Sequence, residues 1–225
     1  MAEAILIAIV GAESTGKTEL AAALAPRLAH LTGLRATWVP EWLRQWCEHS
    51  GRTPLAHEQG AIVRAQHERI ADAAAAHDIV VCDTTALMTA LYSRLLFGDR
   101  SLDERAAALH ARMHHTLLTA LDLPWVADGL QRDGPHVREP VDALLRETLA
   151  AWRLPWSLVS GLGPARLENA VDALAPLLRR AAPARGSGSG GGIFGRLAER
   201  NAEPAARAWR CEHCDDPACE RRTRC

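Results

Sequence analysis

Lysine is almost missing from this chain: Lys17 is the only one among 26 basic side chains, and all the others are arginine. Arginine's planar fork cannot take the place of a compact ammonium wrapped by a tight loop. The one lysine retained therefore marks a position whose geometry demands it. An excess of charge of either sign is also missing. A formal net charge of −1 argues against a nucleic-acid or membrane-surface partner held by bulk electrostatics. No apolar run reaches the length of a bilayer crossing. The first residues, Met1-Ala2-Glu3-Ala4-Ile5, lack the basic region and cleavage site of a secretory leader. Of six cysteines, four fall in the last fifteen positions, which is not how a disulfide framework is spread through a secreted core. The expectation is a protein of the reducing cytoplasm.

What remains is ordinary globular material, 48% hydrophobic and 24% charged over 225 residues, enough for one α/β domain and an appendage. Residues 4–10 form a continuous apolar run of the kind buried on both faces of a parallel sheet. Further strands are expected at 35–39, 78–82 and 157–160. The span 116–121 is ambiguous by propensity, but the alternation of elements calls for a strand there. Helices are expected at 17–31, 41–48, 54–77, 85–97, 102–113, 140–152 and 164–180. Alternating strands and helices imply a P-loop NTPase-type parallel sheet covered on both faces. The domain is expected to end near residue 182. A Gly/Ser-rich linker (183–192) and a cysteine-rich tail (193–225) follow.

The strongest motif is Gly11-Ala12-Glu13-Ser14-Thr15-Gly16-Lys17-Thr18, which satisfies G-x-x-x-x-G-K-[ST] between an apolar strand and a helix. Gly11 and Gly16 let backbone amides curl around phosphates. Lys17 reaches the β- and γ-phosphates, the Thr18 hydroxyl ligates Mg²⁺, and the helix N-terminus adds its dipole. ATP and Mg²⁺ are thus the expected cofactors, with Glu13, Ser14 and Thr15 inside the binding loop.

In such folds ligands sit at the carboxyl ends of the strands, and three segments fall there. Glu41, Trp42 and Arg44 follow the second strand. A carboxylate there can accept a proton from a substrate hydroxyl and an arginine can hold a polar substrate group, although Glu41 can equally be an acidic residue of a helix's first turn. Asp83 closes the third strand beside Thr84 and Thr85, as a holder of the Mg²⁺ shell, a base or a substrate contact; a helix cap by Asp83 or Thr84 is the plainer reading. The turn-rich segment from Asp122 to Arg138 carries Arg132 and Arg138, which can close over the nucleotide or lie on a solvated loop. Trp42 and Trp46 are core residues or substrate stackers. Cys47 and Cys82 read as packed residues, and His110 and His114 as a surface pair rather than a ligand pair.

Together these segments resemble the ribosylnicotinamide kinase domain of NadR-like proteins, a branch of P-loop kinases labelled AAA-family ATPases. The resemblance runs from about Ile5 to Arg180. It is carried by the G-x-E-S-x-G-K-[ST] form of the loop, the Glu/Arg segment after the second strand, and the helix bearing Gln59, Gln66 and His67. Asp83-Thr84 and the Pro-Trp-x-x-Asp-Gly-x-x-Arg stretch from Pro124 to Arg132 complete it. It implies transfer of the ATP γ-phosphoryl group to the 5′-hydroxyl of nicotinamide riboside, a step of NAD biosynthesis. The sequence departs from the pattern at Gln45 and Thr85, where relatives commonly carry acidic residues. No His-x-Gly-His motif is present, so only the kinase step is expected.

The tail contains Cys211, Cys214, Cys219 and Cys225, four thiolates that can hold one tetrahedral Zn²⁺, that can remain free or redox-active, or that can belong to an unfolded end. The linker and tail motivate a second reading, a nucleotide-dependent switch whose tail engages a partner protein. Under either reading Lys17→Ala should remove most nucleotide affinity. Lys17→Arg is the sharper test because it keeps the charge. It should lose nearly all phosphoryl transfer in a coupled ATP assay while the circular dichroism spectrum stays unchanged, and near-normal activity would show that retention of the lysine is accidental.

Overall fold

A computed structural model of the chain describes residues 3–126 and 134–181. The chain divides after Ala184, and all described residues belong to the first unit. Five strands alternate with seven helices: β1 (Ile5–Val10), α1 (Lys17–Thr32), β2 (Ala36–Val39), α2 (Trp42–Ser50), α3 (Gln59–Ala76), β3 (Ile79–Asp83), α4 (Ala86–Phe97), α5 (Asp103–His110), β4 (His115–Thr119), α6 (Arg138–Ala151), β5 (Trp156–Val159) and α7 (Gly163–Ala181). The strands form one parallel sheet in the order β2-β3-β1-β4-β5. This is the α/β architecture expected from the alternation, and the ambiguous span is a strand, β4.

Side chains on a strand alternate between the two faces, and both faces of β1 are apolar. Leu6 and Ala8 pack with Val80, Cys82 and Ile70 beneath α3. Val10 joins Leu118, Leu87, Leu91, Leu145 and Leu149 beneath α4 and α6. The alternate residues Ile5, Ile7 and Ile9 are also buried, and α1 and α7 cover that other face. With β1 central and buried on both sides, its carboxyl end can lead only into the crevice above the sheet.

Two helix starts differ from expectation for identifiable reasons. The span expected as helix from residue 54 opens as a 3₁₀ turn, Ala56–Glu58. There the Glu58 carboxylate accepts the Leu55 amide at 2.8 Å and pairs with Arg52 at 2.7 Å, so the chain turns before α3 begins. Conversely α6 starts ahead of Pro140, because a proline is tolerated in a helix's first turn, where no intrahelical N–H bond is lost.

The expected surface pair His110 and His114 is overturned. His110 is fully buried, its Nδ1 2.8 Å from the Thr85 hydroxyl and its Nε2 2.8 Å from the Thr116 hydroxyl. His114 Nδ1 accepts the Leu6 amide at 3.1 Å. The His110 imidazole thus ties the start of α4 to β4, and burial depresses its pKa from 6.5 to about 4. A base whose folded pKa lies below its unfolded value contributes no penalty above pH 6.5. It penalises the folded state progressively as pH falls toward 4. Urea unfolding should therefore show stability dropping by up to about 3 kcal/mol over that window, and His110→Gln should flatten that part of the profile.

Candidate functional site

The loop after β1 is shaped by its glycines and by a threonine pair. A Cβ on Gly11 would lie 2.0 Å from Thr119 Oγ1, and one on Gly16 would lie 2.9 Å from Leu123 Cδ1. Gly16 also sits at φ +71° as the residue before α1, where other side chains are strained. The Thr15 hydroxyl donates to the Ala12 carbonyl at 2.8 Å and lies 2.7 Å from the Thr119 hydroxyl, which reaches the Val10 carbonyl at 3.2 Å. The Lys17 ammonium lies across the loop, donating to the Ala12 carbonyl at 2.8 Å.

A cavity of about 570 Å³ opens above the loop, lined by Ser14, Thr15, Gly16, Lys17, Thr18 and Arg44 and bounded by Leu123, Pro124 and Val126. The Ser14 hydroxyl donates to the Val126 carbonyl at 2.8 Å, which holds that far wall against the loop. A buried arginine supports the loop from below. Arg166 donates to the Thr15 carbonyl at 2.8 Å, to the Gly161 carbonyl at 2.9 Å and to Asp122 Oδ1 at 2.7 Å. Its position in α7, some 150 residues from the loop it braces, left no local signal in the sequence.

The Thr18 hydroxyl donates to Asp83 Oδ2 at 2.6 Å. The other carboxylate oxygen, Oδ1, is buried without a donor at full hydrogen-bonding geometry, although the Glu41 amide is near enough to favour its charged form. A hydroxyl and a carboxylate at the start of α1 and the end of β3 are two hard oxygen donors, which fit the preference of Mg²⁺ for oxygen ligands shared with phosphates. Burial raises the Asp83 pKa, opposed by the Thr18 hydroxyl, Lys17 and Arg44.

A second cavity, about 390 Å³, lies beside the first and shares Lys17 and Arg44 with it. Glu13, Glu41, Lys17 and Arg44 make its charged end, and Leu43, Met88, Tyr92 and Phe97 line its apolar part. Glu41 precedes α2 but makes no side-chain cap; its Oε1 accepts the Thr84 hydroxyl at 3.3 Å. Burial pushes its carboxyl pKa up, Lys17 opposes this, and Asp83 adds to it. Gln66 fixes the turn, its Oε1 accepting the Trp42 amide at 2.7 Å and its Nε2 donating to the Pro40 carbonyl at 3.5 Å. Thr84 stands between the two carboxylates in a left-handed conformation, φ +65°, rare for a β-branched residue. The cap of α4 is Thr85, which accepts the Leu87 amide at 3.4 Å, so neither Asp83 nor Thr84 serves as that cap.

The structure thus brings Gly16, Lys17, Thr18, Glu41, Arg44 and Asp83 together. Glu13, expected with the phosphate-binding residues, lines the second cavity instead. Trp42 lies outside that lining and stacks under the Arg69 guanidinium, 4.0 Å from the ring centroid. Arg138 is buried and donates to the Leu123 carbonyl at 2.9 Å, bracing the loop wall rather than lining the phosphate cavity. Arg132 and the four tail cysteines lie outside the described residues. Among the described residues, no group of three or more His, Cys, Asp or Glu converges on a metal position, and no helix is long and apolar enough to cross a membrane.

A family profile described as an AAA domain matches residues 6–166. Among solved structures, NadR protein in complex with NR is similar at 18% identity and a TM-score of 0.60, over 77% of this chain and 50% of that one. NadR in complex with NAD and AMP-PNP is similar at 19% identity and a TM-score of 0.59, over 77% and 49%. Thymidylate kinase from Ehrlichia chaffeensis is similar at 15% identity and a TM-score of 0.54, over 78% and 100%. The chain spans about half the length of the NadR chains it matches. No curated protein matches the sequence.

If Thr18 and Asp83 hold the ion, Mg²⁺ should tighten binding of a non-hydrolysable ATP analogue. Asp83→Asn should reduce that enhancement about tenfold while leaving metal-free binding near wild type, as read by isothermal titration with and without EDTA.

Proposed function

We propose that this chain, which belongs to the AAA-domain family, is a Mg²⁺-dependent small-molecule kinase whose acceptor is the 5′-hydroxyl of nicotinamide riboside. The observation that carries the reading is the pair of adjoining cavities sharing Lys17 and Arg44. One is shaped for phosphates. The other has the size and the largely apolar lining of a small-molecule site, with a carboxylate at the shared end. A switch that only hydrolyses nucleotide has no use for the second cavity.

In this reading the loop amides, Lys17 and the N-terminus of α1 hold the ATP phosphates. Thr18 and Asp83 hold Mg²⁺, which when bound neutralises charge on the β- and γ-oxygens. Asp83 is thereby committed to the ion and to Thr18. Glu41 lines the acceptor cavity and takes the proton of the attacking hydroxyl, helped by a pKa that burial raises. Arg44, bordering both cavities, stabilises the charge on the transferring group. The acceptor is drawn from the resemblance noted in the sequence and from the fold shared with NadR protein in complex with NR.

The pure protein with ATP, Mg²⁺ and nicotinamide riboside should yield nicotinamide mononucleotide, detected by mass spectrometry. Glu41→Gln should lower kcat by about 10²–10⁴-fold with the Kd for an ATP analogue unchanged. Turnover with a different nucleoside alone would keep the kinase and replace the acceptor. Slow hydrolysis indifferent to any acceptor would favour the nucleotide-dependent switch.

A further inference from the structure

Gln59 is a buried polar residue that nothing described so far employs. It is the first residue of α3, only 4% exposed, and it lines the second cavity. No hydrogen bond reaches its carboxamide from any other described residue. Its carboxamide lines the cavity and so is open to a ligand's hydrogen bonds, whereas an apolar substitute such as leucine would fill the same volume. Retaining a donor and an acceptor there makes sense if a ligand completes them.

The position along α3 says which part of a ligand that would be. Gln66 lies seven residues further on, two helical turns, on the same face of the helix. It clamps the turn that carries Glu41. At 1.5 Å rise per residue, Gln59 is displaced about 10 Å along the helix from that clamp. One helix therefore steadies the turn that carries Glu41 through Gln66 and, two turns away, places Gln59 in the lining of the cavity. The same cavity is lined by Met88, Tyr92 and Phe97 and by Leu55 and Leu96, both more than half exposed. Such a lining suits a flat ring that carries one in-plane polar edge.

We propose that Gln59 is a specificity-determining residue that reads, by a paired donor and acceptor, an in-plane amide-like edge on the acceptor's ring. The assignment rests on the second cavity being the acceptor site. The recognised chemistry is an N–H donor beside an acceptor atom, as in a ring carboxamide or in the amino and ring-nitrogen edge of adenine or cytosine. A carboxylate in the same place has no donor to give and leaves the Gln59 oxygen unmatched. A site built around such groups discriminates strongly, because the wrong ligand leaves a buried polar atom unpaired.

The test measures KM and kcat for nicotinamide riboside, nicotinate riboside, adenosine and cytidine with wild type, Gln59→Leu and Gln59→Glu, each checked for folding by thermal melt. In Gln59→Leu the KM for the preferred acceptor should rise about tenfold or more, with kcat and the KM for ATP within about threefold of wild type. Gln59→Glu keeps an acceptor oxygen, so it should retain the amide-bearing acceptor and reject the carboxylate more strongly than wild type does. Preference for nicotinamide riboside over adenosine and cytidine identifies the ring carboxamide, and the reverse identifies a nucleobase edge. An unchanged KM for the preferred acceptor in folded Gln59→Leu overturns the assignment, as does equal use of both nicotinamide and nicotinate ribosides by wild type. If wild type turns over none of the four, the proposed acceptor fails, and calorimetric binding of the same compounds decides the role of Gln59. Weaker binding of an amide-edged compound to Gln59→Leu than to wild type sustains it, and no binding to wild type overturns it.

Discussion

Two carboxylates, the buried Asp83 and the half-buried Glu41, stand beside one ammonium and one guanidinium, and the site depends on how that balance is struck. Desolvation raises the pKa of both, and Lys17 and Arg44 oppose it in both. The cations are shared, so neither carboxylate has a partner of its own. The Thr18 hydroxyl goes to Asp83 and the Thr84 hydroxyl to Glu41, which gives two chemically identical groups different surroundings. Different surroundings of this kind are how one fold can give two carboxyl groups different protonation behaviour. The central strand β1 and its neighbour β3 make the arrangement possible, because parallel pairing of Ile9 with Asp83 sets the loop and the aspartate at one level.

The second cavity shows the same division at larger scale. Its charged residues come from the phosphate loop, the start of α1 and the chain just after β2, and its apolar ones from α2, the segment before α3 and α4. A charged group entering the apolar end would give up hydration without compensation, whereas the shared end offers both signs of charge. Orientation of a ligand is thereby decided before any specific hydrogen bond forms. Gln66 and Arg138 contribute at one remove, the first bonding the backbone beside Glu41 and the second the backbone of Leu123.

Much of this was legible in the sequence because the decisive signals are local. The run 4–10, the loop from Gly11 to Thr18 and the 78–82 strand closing on Asp83 each combine periodicity with a terminal polar residue, and the structure places them as expected. Even β4, whose Thr-Leu-Leu-Thr stretch has no clear propensity, followed from the alternation of elements. Long-range partnerships were not legible. Arg166 bracing Thr15, Thr119 packing on Gly11, and His110 bridging Thr85 to Thr116 each join residues whose proximity is a product of sheet order, and nothing in the spacing of the sequence encodes that order. The histidines illustrate the limit. A helical spacing of four suggested a shared surface, but the chain leaves the helix after His110 and carries the two rings into different environments. Trp42 and Arg138 were assigned by proximity in sequence to the site, and their rings and forks were drawn instead to Arg69 and Leu123.

Thr84 occupies a backbone region that a β-branched residue enters only with strain, on the order of 1–3 kcal/mol, yet its amide donates to the Ile9 carbonyl and its hydroxyl to Glu41. Selection for thermal robustness alone would replace it with glycine, which adopts the same turn freely. Natural proteins sit only modestly above the stability they need, so a strained residue at the junction of Glu41 and Asp83 draws on a limited reserve. Lineages of this fold that drift toward lower stability would thus meet a choice at this single codon, between a tighter body and an intact site.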